Sequence, residues 1–370
     1  MAGVTVDRCP GVLRPHQAAD GAMVRIRVPG GQTTGPALGR LGEIAGAYGS
    51  GLLQLTSRAS LQIRGLPESL PPSFERAVAE ASFLPSTTHE RVRNIIASPL
   101  TGLMGGRADL RAMVVELDRS LLAAPELAQL SGRFLFGLDD GRGDLAALEP
   151  DLTYRALGPD HGHLLVGDGR FGMPVSAADA VPTLIELAQR FQAARQETWV
   201  WRVAELPGWV QRLPGLISLP SASEPAPLPL GAVAGHASVQ VPLGFLAPAQ
   251  LTAVTAAAGG GAVVVTPGRG LILPGAAASL PSMTATGLVT DDSSPWISIS
   301  ACVGAPWCAK GRVDTQALVH AVAGVDATWG RTHVSGCERR CGAPTTEHHD
   351  LVAPTYDELR AVAQPQLAHA

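Results

Sequence analysis

The sequence Ser300-Ala-Cys-Val-Gly-Ala-Pro-Trp-Cys-Ala-Lys-Gly311 is followed by a second cysteine-bearing stretch, Val334-Ser-Gly-Cys-Glu-Arg-Arg-Cys-Gly-Ala-Pro344. Five residues separate the cysteines of the first pair and three separate those of the second, which gives the set Cys302, Cys308, Cys337 and Cys341. Four thiolates in two close pairs suit an iron–sulfur cluster. The two stretches therefore predict a bound cluster and a protein that handles electrons.

Zinc is the main alternative metal, because Cys₄ zinc sites are common and the second pair has a suitable spacing. The first pair is wider than zinc sites usually have. A disulfide framework would need an oxidising compartment, and residues 1–8 have neither the basic head nor the apolar run of a secretory leader. Unrelated buried thiols are a further alternative, and we interpret Cys9 as such a thiol.

The chain has 370 residues, of which 46% are hydrophobic, and a formal net charge of -4. This length predicts about two or three domains with sizeable cores. No apolar run in the sequence reaches the ~18 residues needed to cross a bilayer. We therefore expect no membrane association and a cytoplasmic location. A negative net charge creates no positive electrostatic potential that would attract DNA or RNA, so we expect no nucleic-acid partner.

Arginine supplies nearly all the basic side chains, because Lys310 is the one lysine among 28 Lys and Arg residues. Codon bias is one explanation. A guanidinium binds carboxylates through a bidentate fork, but it stays protonated and does not readily donate a proton. The chain is therefore suited to holding anions and poorly suited to supplying them with protons from lysine.

The segment 218–231 is rich in proline and serine, which indicates an extended linker. On each side of it, around 23–65 and 237–275, an alternating strand ending in Val-Pro precedes an Ala-rich helix and two short strands. Thr56 aligns with Thr266 and Leu61 aligns with Leu271, with the same number of residues between the two members of each pair. Chance similarity is one explanation, but the shared order of elements favours an internal duplication. The remaining segments alternate helix and strand, so we predict an α+β protein.

This order of elements, together with the cysteine pairs, resembles the sirohaem and iron–sulfur nitrite/sulfite reductase superfamily. The resemblance implies duplicated modules related by a pseudo-twofold axis, each a ferredoxin-like half followed by a mixed α/β sheet unit. It implies ferredoxin-like halves at 1–83 and 232–290, a sulfite reductase-like α/β domain at 84–217, a linker at 218–231 and a cluster-binding domain at 291–370.

Within the superfamily, Arg8-Cys-Pro-Gly-Val-Leu-Arg-Pro15 and Leu55-Thr-Ser-Arg-Ala-Ser-Leu-Gln-Ile-Arg-Gly65 most resemble the precorrin-3B synthase family. This resemblance implies an oxygen-dependent monooxygenase that acts on precorrin-3A in aerobic cobalamin biosynthesis. The reaction it implies hydroxylates a meso carbon and closes a γ-lactone. A sirohaem-dependent sulfite or nitrite reductase is the main alternative, and a non-catalytic tetrapyrrole or cluster carrier is another.

By position, the resemblance implies that the four paired cysteines hold a [4Fe-4S] cluster, with Cys341 nearest the tetrapyrrole. It also matches pocket residues of the superfamily to Arg58, Arg93 and Asn94. Arg64 and Arg269 are further candidates for substrate binding, and no catalytic residue is assigned. A lone arginine is usually solvated. We interpret several others in this way: Arg25, Arg27, Arg91, Arg339 and Arg340.

Two positions depart from the reductases of the superfamily, which carry a pair of active-site lysines. Arg133 falls at the first of these positions and Leu135 at the second. Six-electron reduction of sulfite or nitrite must deliver protons to a small anion, and lysine can donate them where arginine cannot. A large polycarboxylate needs only fixed cationic forks. The departure therefore favours a precorrin as substrate.

The stretch 167–172, Gly-Asp-Gly-Arg-Phe-Gly, imitates a dinucleotide fingerprint, but Met173-Pro174 follows it where a helix should begin. We predict a hairpin turn there. Electrons from NAD(P)H would then enter through a partner reductase or a ferredoxin. The resemblance also allows a sirohaem-like macrocycle or a mononuclear iron, for which candidate ligands are His161, His163, His348 and His349.

Overall fold

The computed structural model describes residues 7–196, 198, 200–220, 226–323, 329–344 and 346–363. Its strands are β1 His16–Ala18, β2 Gly21–Ile26, β3 Gln32–Thr34, β4 Leu53–Leu55, β5 Leu61–Leu66, β6 Ile95–Ala97, β7 Phe136–Asp139, β8 Leu152–Ala156, β9 His161–Val166, β10 Phe171–Ser176, β11 Ile217–Ser218, β12 Gly231–Val233, β13 His236–Gln240, β14 Phe245–Leu246, β15 Ala262–Val265, β16 Gly270–Leu273, β17 Ile299–Ala301, β18 Thr332–Ser335 and β19 His349–Val352. Its helices are α1 Gly35–Tyr48, α2 Pro72–Glu80, α3 Arg111–Leu122, α4 Ala177–Arg195, α5 Pro207–Val210, α6 Pro248–Ala258, α7 Leu280–Ala285, α8 Thr315–Ala323 and α9 Tyr356–Ala363. The mixture of helix and sheet confirms the predicted α+β class.

Two five-stranded sheets carry the duplicated unit, and each contains one strand from the other copy. The first has the order β1-β2-β5-β4-β14 and the second the order β12-β13-β16-β15-β3. Strand β14, from the second copy, pairs with β4 through Phe245 and Gln54, while β3 pairs with β15 through Thr34 and Ala262. The two copies are therefore joined by reciprocal strand exchange.

The exchanged strands begin at equivalent turns. Val28-Pro29-Gly30-Gly31 precedes β3, and Val241-Pro242-Leu243-Gly244 precedes β14. Gly31 and Gly244 both have positive φ, +70° and +80°. A Cβ at either position would run into the backbone carbonyl of the partner copy, at Val265 and Leu55 respectively. Glycine is therefore needed for the close approach that starts each exchanged strand.

One hydrophobic core serves both copies. Helix α1 buries Leu38, Leu41 and Ile44, the side predicted to be apolar, and it packs against α6. Residues of both sheets, such as Ile63 and Leu271, are fully buried in this same core. The two ferredoxin-like halves therefore form a single packed body.

A six-stranded sheet of order β11-β10-β9-β8-β7-β6 forms a second core with α3 and α4. Strands β9 and β10 pair antiparallel from Val166 and Phe171 onward, which confirms the predicted hairpin at 167–172. Strand β11 adds Ser218, the first residue of the predicted linker, to the edge of this sheet. Residues 221–225 of that linker lie outside the described residues.

A parallel three-stranded sheet of order β17-β18-β19 forms the third core with α8 and α9. Strand β17 is paired with β18 from Ile299 opposite Thr332 to Ala301 opposite Val334. None of the helices within the described ranges has the length and apolar character needed to span a membrane.

Candidate cluster and substrate site

The first and second cysteine pairs follow neighbouring parallel strands. Cys302 comes directly after β17, and Cys337 lies two residues after β18. Carboxyl ends of parallel strands meet at one edge of a sheet, so the two loops start side by side. The Cys302 amide donates to the Val334 carbonyl at 3.0 Å, which extends the strand pairing to the first cysteine.

Three glycines allow the two cysteine loops to pack against each other. A Cβ at Gly336 would lie 3.2 Å from the Gly304 Cα and 3.3 Å from the Gly311 Cα. Gly304 has a φ of +63°, and a Cβ there would lie 2.5 Å from the Thr315 hydroxyl oxygen. The close packing of the two loops therefore favours glycine at these positions, most strongly at Gly304.

Several hydrogen bonds hold the Cys302 end of the site. The Gly336 amide donates to the Cys302 Sγ atom at 3.1 Å. Thr315 and Gln316, at the start of α8, donate to the Cys302 carbonyl at 2.6 Å and 2.8 Å. An amide that donates to a cysteine sulfur stabilises the thiolate and is one determinant of the reduction potential of a cluster.

The Cys341 thiol lies close enough to the other three thiols for their charges to act on it. Burial raises the pKa of Cys341 most strongly, and the charges of Cys302, Cys337 and Cys308 raise it further, whereas Arg339 lowers it. All four thiols are free of disulfides. Within the described ranges, no three His, Cys, Asp or Glu side chains are close enough to hold a single metal ion. Four cysteine thiolates are the usual donor set of a [4Fe-4S] cluster.

Arg64 joins the first sheet to the first cysteine loop. Its guanidinium donates to Asp20 at 3.1 Å and 2.9 Å and to the carbonyl of Trp307 at 3.1 Å. Both side chains of this ion pair are about nine-tenths buried, with 8% exposure each. Arg64 therefore positions the loop between Cys302 and Cys308, and its fork is already occupied by a carboxylate.

Arg93 is also paired, through two 2.7 Å bonds to the carboxylate of Asp118. Its neighbour Asn94 donates its side-chain amide to the carbonyls of Gly132 and Arg91, at 2.8 Å and 3.2 Å. These two predicted pocket residues therefore fix helix α3 and the backbone that precedes Arg133.

Three guanidinium groups have no carboxylate within ion-pair distance in the described part of the chain. They belong to Arg25, Arg27 and Arg58. Arg25 instead donates to the Gln62 side-chain oxygen, at 2.8 Å and 2.9 Å, in the amide orientation that satisfies both ends of Gln62. Arg27 is 3% exposed, and its Nη1 atom has no partner among the described residues. The interpretation of Arg27 as a solvated residue is therefore wrong.

Burial and neighbouring positive charges lower the pKa of both Arg27 and Arg58. Burial, followed by the charge of Arg25, lowers the pKa of Arg27 to about 9. The pKa of Arg58 is lowered by burial, then by Arg202 and Arg25. The Arg58 side chain is nevertheless open to solvent, and the charges of Arg202 and Arg25 make its surroundings positive. Such surroundings attract an anionic ligand.

The side chains of Arg133 and Leu135 lie in different environments. Arg133 is exposed and lies over the ring of Trp201, at 5.9 Å from its centroid, with Arg195 at 5.5 Å. Leu135 is 1% exposed and packs in a small core with Ile96 and Leu145. Arg133 is therefore available to a ligand, and Leu135 belongs to the core.

Arg269 lies on the tight turn of the second copy. The turns Thr56–Ser60 and Thr266–Gly270 are closed by the same bonds, from the Ser60 or Gly270 amide to the threonine hydroxyl, at 3.1 Å and 3.0 Å. Arg269 has a φ of +62°, and burial lowers the pKa of its guanidinium. Its Nη2 atom lies 3.5 Å from the Cβ position of Gly342, so it reaches the second cysteine loop.

The candidate histidines are separated. His161 lies in the exposed β9–β10 hairpin with Asp160, 2.7 Å away, and His349 is exposed. His348 lies beside His333, with ring centroids 6.2 Å apart. The pKa of His333 is lowered to about 4, first by burial and then by Arg269 and His348. The sequence analysis missed His333, which is fully buried next to the cysteine loops.

A pattern in the sequence does point to Arg25 and Arg27. In a strand, residues two positions apart point to the same face, and Arg-Ile-Arg at 25–27 lies within the strand predicted at 23–28, of which β2 includes Arg25 and Ile26. Two cations on one face of an otherwise apolar strand indicate a ligand for that face. His333 has a weaker signal, since it lies between Thr332 and Val334 in the short strand β18, of which every residue is buried.

The chain is similar in sequence to known proteins. Residues 14–81 match the model of the nitrite/sulfite reductase ferredoxin-like half domain. A precorrin-3B synthase from Sinorhizobium sp is 26% identical over 95% of this chain and 82% of its own. A ferredoxin–nitrite reductase from Synechococcus elongatus is 25% identical over 87% of this chain and 74% of its own.

The solved structures show the same fold. The Mycobacterium tuberculosis NirA protein superposes with a TM-score of 0.66 and 18% identity, over 87% of this chain and 69% of that one. The named relatives are oxidoreductase-type enzymes. Residues 14–81 therefore match a nitrite/sulfite reductase ferredoxin-like half domain, and the chain as a whole is similar to a precorrin-3B synthase in sequence and to NirA in fold.

Proposed function

We propose that this protein is an oxygen-dependent monooxygenase that converts precorrin-3A to precorrin-3B in cobalamin biosynthesis. The observation that carries the proposal is the group of arginines without carboxylate partners, Arg25, Arg27 and Arg58, together with Arg269 beside the cysteine loops. Similarity to a precorrin-3B synthase over most of both chains supports it.

A precorrin carries acetate and propionate arms, and each carboxylate is a bidentate acceptor for a guanidinium. Arg58 is solvent-accessible and would bind such an arm directly, while buried Arg27 keeps the surface positive. Arg269 would hold the macrocycle edge against the loop that carries Cys341. The residues of the site therefore orient a polyanionic ring between the arginines and the cysteines.

A [4Fe-4S] cluster on Cys302, Cys308, Cys337 and Cys341 would supply electrons one at a time. One oxygen atom of O₂ enters the substrate and the other leaves as water, so two electrons and two protons must arrive from outside. A ferredoxin or a reductase that draws on NAD(P)H would deliver the electrons. The paired residues Arg64 and Asp20 would keep the first cysteine loop in place during turnover.

A sirohaem-dependent sulfite or nitrite reductase is the second candidate, and the similarity to a ferredoxin–nitrite reductase favours it. Such a reaction needs proton donors beside a small anion. Arg133 and Leu135 provide none, and Lys310 is an exposed residue of the cysteine loop. The residues present therefore suit the monooxygenase better.

The test uses the full-length protein with its cluster reconstituted under anaerobic conditions. Addition of precorrin-3A, a reduced electron donor and isotope-labelled O₂ should yield a product heavier by one labelled oxygen atom. Parallel samples with nitrite or sulfite in place of precorrin should show no consumption of reductant. Reduction of either anion, without an oxygenated corrin product, would contradict the proposal.

A further inference from the structure

One tryptophan side chain, that of Trp201, contacts two guanidinium groups. The guanidinium carbon of Arg195 lies 5.5 Å from the centroid of the indole ring, and that of Arg133 lies 5.9 Å from it. A guanidinium within about 6 Å of an indole face is attracted by the negative potential of that face. Trp201 therefore makes a cation–π contact with each arginine, and the two arginines differ in how the rest of the protein holds them.

Arg195 is held in place by hydrogen bonds. It is the last residue of α4 and is 8% exposed. Its guanidinium donates to the carbonyls of Val200 and Gln129, at 2.7 Å and 2.9 Å. The Trp201 amide in turn donates to the Glu205 carboxylate at 2.6 Å. Arg195 and these backbone contacts therefore fix the position of the Trp201 ring.

Arg133, in contrast, has a guanidinium that can receive a ligand. The side chain is exposed, and it has no carboxylate within ion-pair distance in the described ranges. Its backbone is fixed, because the carbonyl of Gly132 accepts from Asn94 at 2.8 Å and from buried Arg27 at 3.5 Å. Within the part of the chain that is described, the Trp201 ring is therefore the contact that restrains the Arg133 guanidinium.

The Trp201 segment adjoins the arginines that have no carboxylate partner. Arg202 is the next residue, and after burial its charge is the largest cause that lowers the pKa of Arg58. Arg27 contacts the carbonyl of the residue before Arg133. Arg133 and Arg58 therefore belong to the same positively charged surroundings, which attract an anionic ligand.

We propose that Trp201 is a positioning residue, which holds the guanidinium of Arg133 ready for a carboxylate arm of the tetrapyrrole substrate. The inference rests on the proposed function, since that function supplies the ligand. An arginine side chain that becomes ordered on binding costs affinity, and a ring that already restrains it removes part of this cost. A planar guanidinium can stack on an aromatic ring while its N–H groups stay available to a carboxylate. Lysine at this position would supply the charge without the planar stacking.

The experiment is a double-mutant cycle on the full chain with its cluster reconstituted. The ligand is uroporphyrin, a tetrapyrrole polycarboxylate that binds without turnover, and titration of its absorbance measures the affinity. Arg133→Ala should weaken binding by about 10- to 100-fold, and Trp201→Leu by about 5- to 20-fold. Trp201→Phe keeps an aromatic ring and should lose less than about 3-fold. In the Arg133→Ala background, Trp201→Leu should change the affinity by less than about 2-fold, because no guanidinium is left to position.

Two further measurements separate positioning from folding. Melting temperature and cluster absorbance verify that Trp201→Leu is folded, and Trp201→Met, whose flexible side chain fills gaps, is a second variant without a ring. Phe171→Leu is the matched control, since it removes an exposed aromatic ring of β10 and should bind as wild type. In the oxygenation assay, Trp201→Leu should raise KM for precorrin-3A by the same factor as the uroporphyrin affinity falls, with kcat within about 2-fold of wild type.

Additive losses from Trp201→Leu and Arg133→Ala would overturn the proposal, because Trp201 would then act independently of Arg133. Equal uroporphyrin affinity of the wild type and Trp201→Leu, or no binding of either macrocycle by the wild type, would overturn it as well. Non-additive losses in a protein that yields no oxygenated corrin would instead support the role of Trp201 and refute the proposed function.

Discussion

At the scale of the residue, carboxylate pairing divides the arginines near the cysteine loops into two groups. Arg64 and Arg93 are held by Asp20 and Asp118, so they stabilise the protein. Arg27 and Arg58 have no such partner in the described ranges, and burial lowers the pKa of each. Desolvated cations without partners raise the energy of the free protein, and an anionic ligand recovers part of that energy.

Arg58→Ala should weaken binding of a tetrapyrrole polycarboxylate by about 10- to 100-fold, because it removes one charge-assisted hydrogen-bonding fork. The stability of the variant should not decrease, since Arg58 makes no ion pair in the described ranges. Titration of the protein with substrate, followed by absorbance, measures the affinity. Arg170→Ala, which removes an exposed hairpin arginine paired with Asp168, is the control. Equal affinity of both variants would exclude Arg58 from the binding surface.

Asp144 predicts a pH dependence of stability. Burial raises its pKa to about 6 from 3.8; Ser98 and Arg142 lower it, and the charges of Asp139 and Asp140 raise it. The folded protein binds this proton more tightly than the unfolded chain, so this residue makes the free energy of unfolding fall as pH rises from about 4 to about 6.

Asp144→Asn should remove that cost and raise the free energy of unfolding at pH 8 by up to about 3 kcal/mol, with little effect below pH 4. Denaturant unfolding at several pH values measures the difference. Asp168→Asn, at an exposed hairpin, should show no such trend. A constant difference between the Asp144 variant and wild type at all pH values would contradict the assignment.

At the scale of the element, local chemistry decides what the sequence can predict. Helix α6, Pro248–Ala258, has bounds that the sequence can predict, because proline starts it and Gly259 ends it. Strands β3 and β14 are not predicted, since they have two or three residues and pair with the other copy of the repeat. Such pairing depends on contacts between residues that are 191 to 232 positions apart, and these leave no local pattern.

Gly304→Ala should prevent cluster assembly, because the new Cβ would meet the Thr315 hydroxyl and the backbone has a φ of +63°. The iron and sulfide content of the purified variant, with its visible absorbance, measures this loss. Gly46→Ala is the control, since its Cβ would contact nothing within 4 Å on helix α1. That control should keep its cluster and gain about 0.5–1 kcal/mol in stability. Normal cluster content in Gly304→Ala would show that the loops tolerate a side chain.

At the scale of the whole molecule, the topology brings distant segments together. The cysteine pairs are predicted from spacing, and their closeness follows from the parallel pairing of β17 with β18. The roles of Arg64 and Arg93 are not predictable from the sequence, because Asp20 and Asp118 lie 44 and 25 residues away. The sequence identifies charged candidates, and only the fold decides which of them are already paired.

Arg64→Ala should lower the free energy of unfolding by about 3–5 kcal/mol, because it leaves the buried Asp20 carboxylate without its partner. It should also loosen the first cysteine loop, since the bond to the Trp307 carbonyl is lost. Thermal unfolding and the rate of cluster loss to a chelator measure both effects. Arg40→Ala breaks an exposed pair with Glu43 and should cost less than about 1 kcal/mol. A similar small cost for Arg64→Ala would show that Arg64 does not hold the loop.

The exchange of β3 and β14 between the two sheets has a consequence for ancestry. A single ancestral copy, with its turn and edge strand, would lack the strand that completes its own sheet. Two identical polypeptides could supply each other with that strand, in the manner of a domain-swapped homodimer. Fusion of two such genes would preserve the swap inside one polypeptide, and neither half would then be expected to fold after cleavage between them.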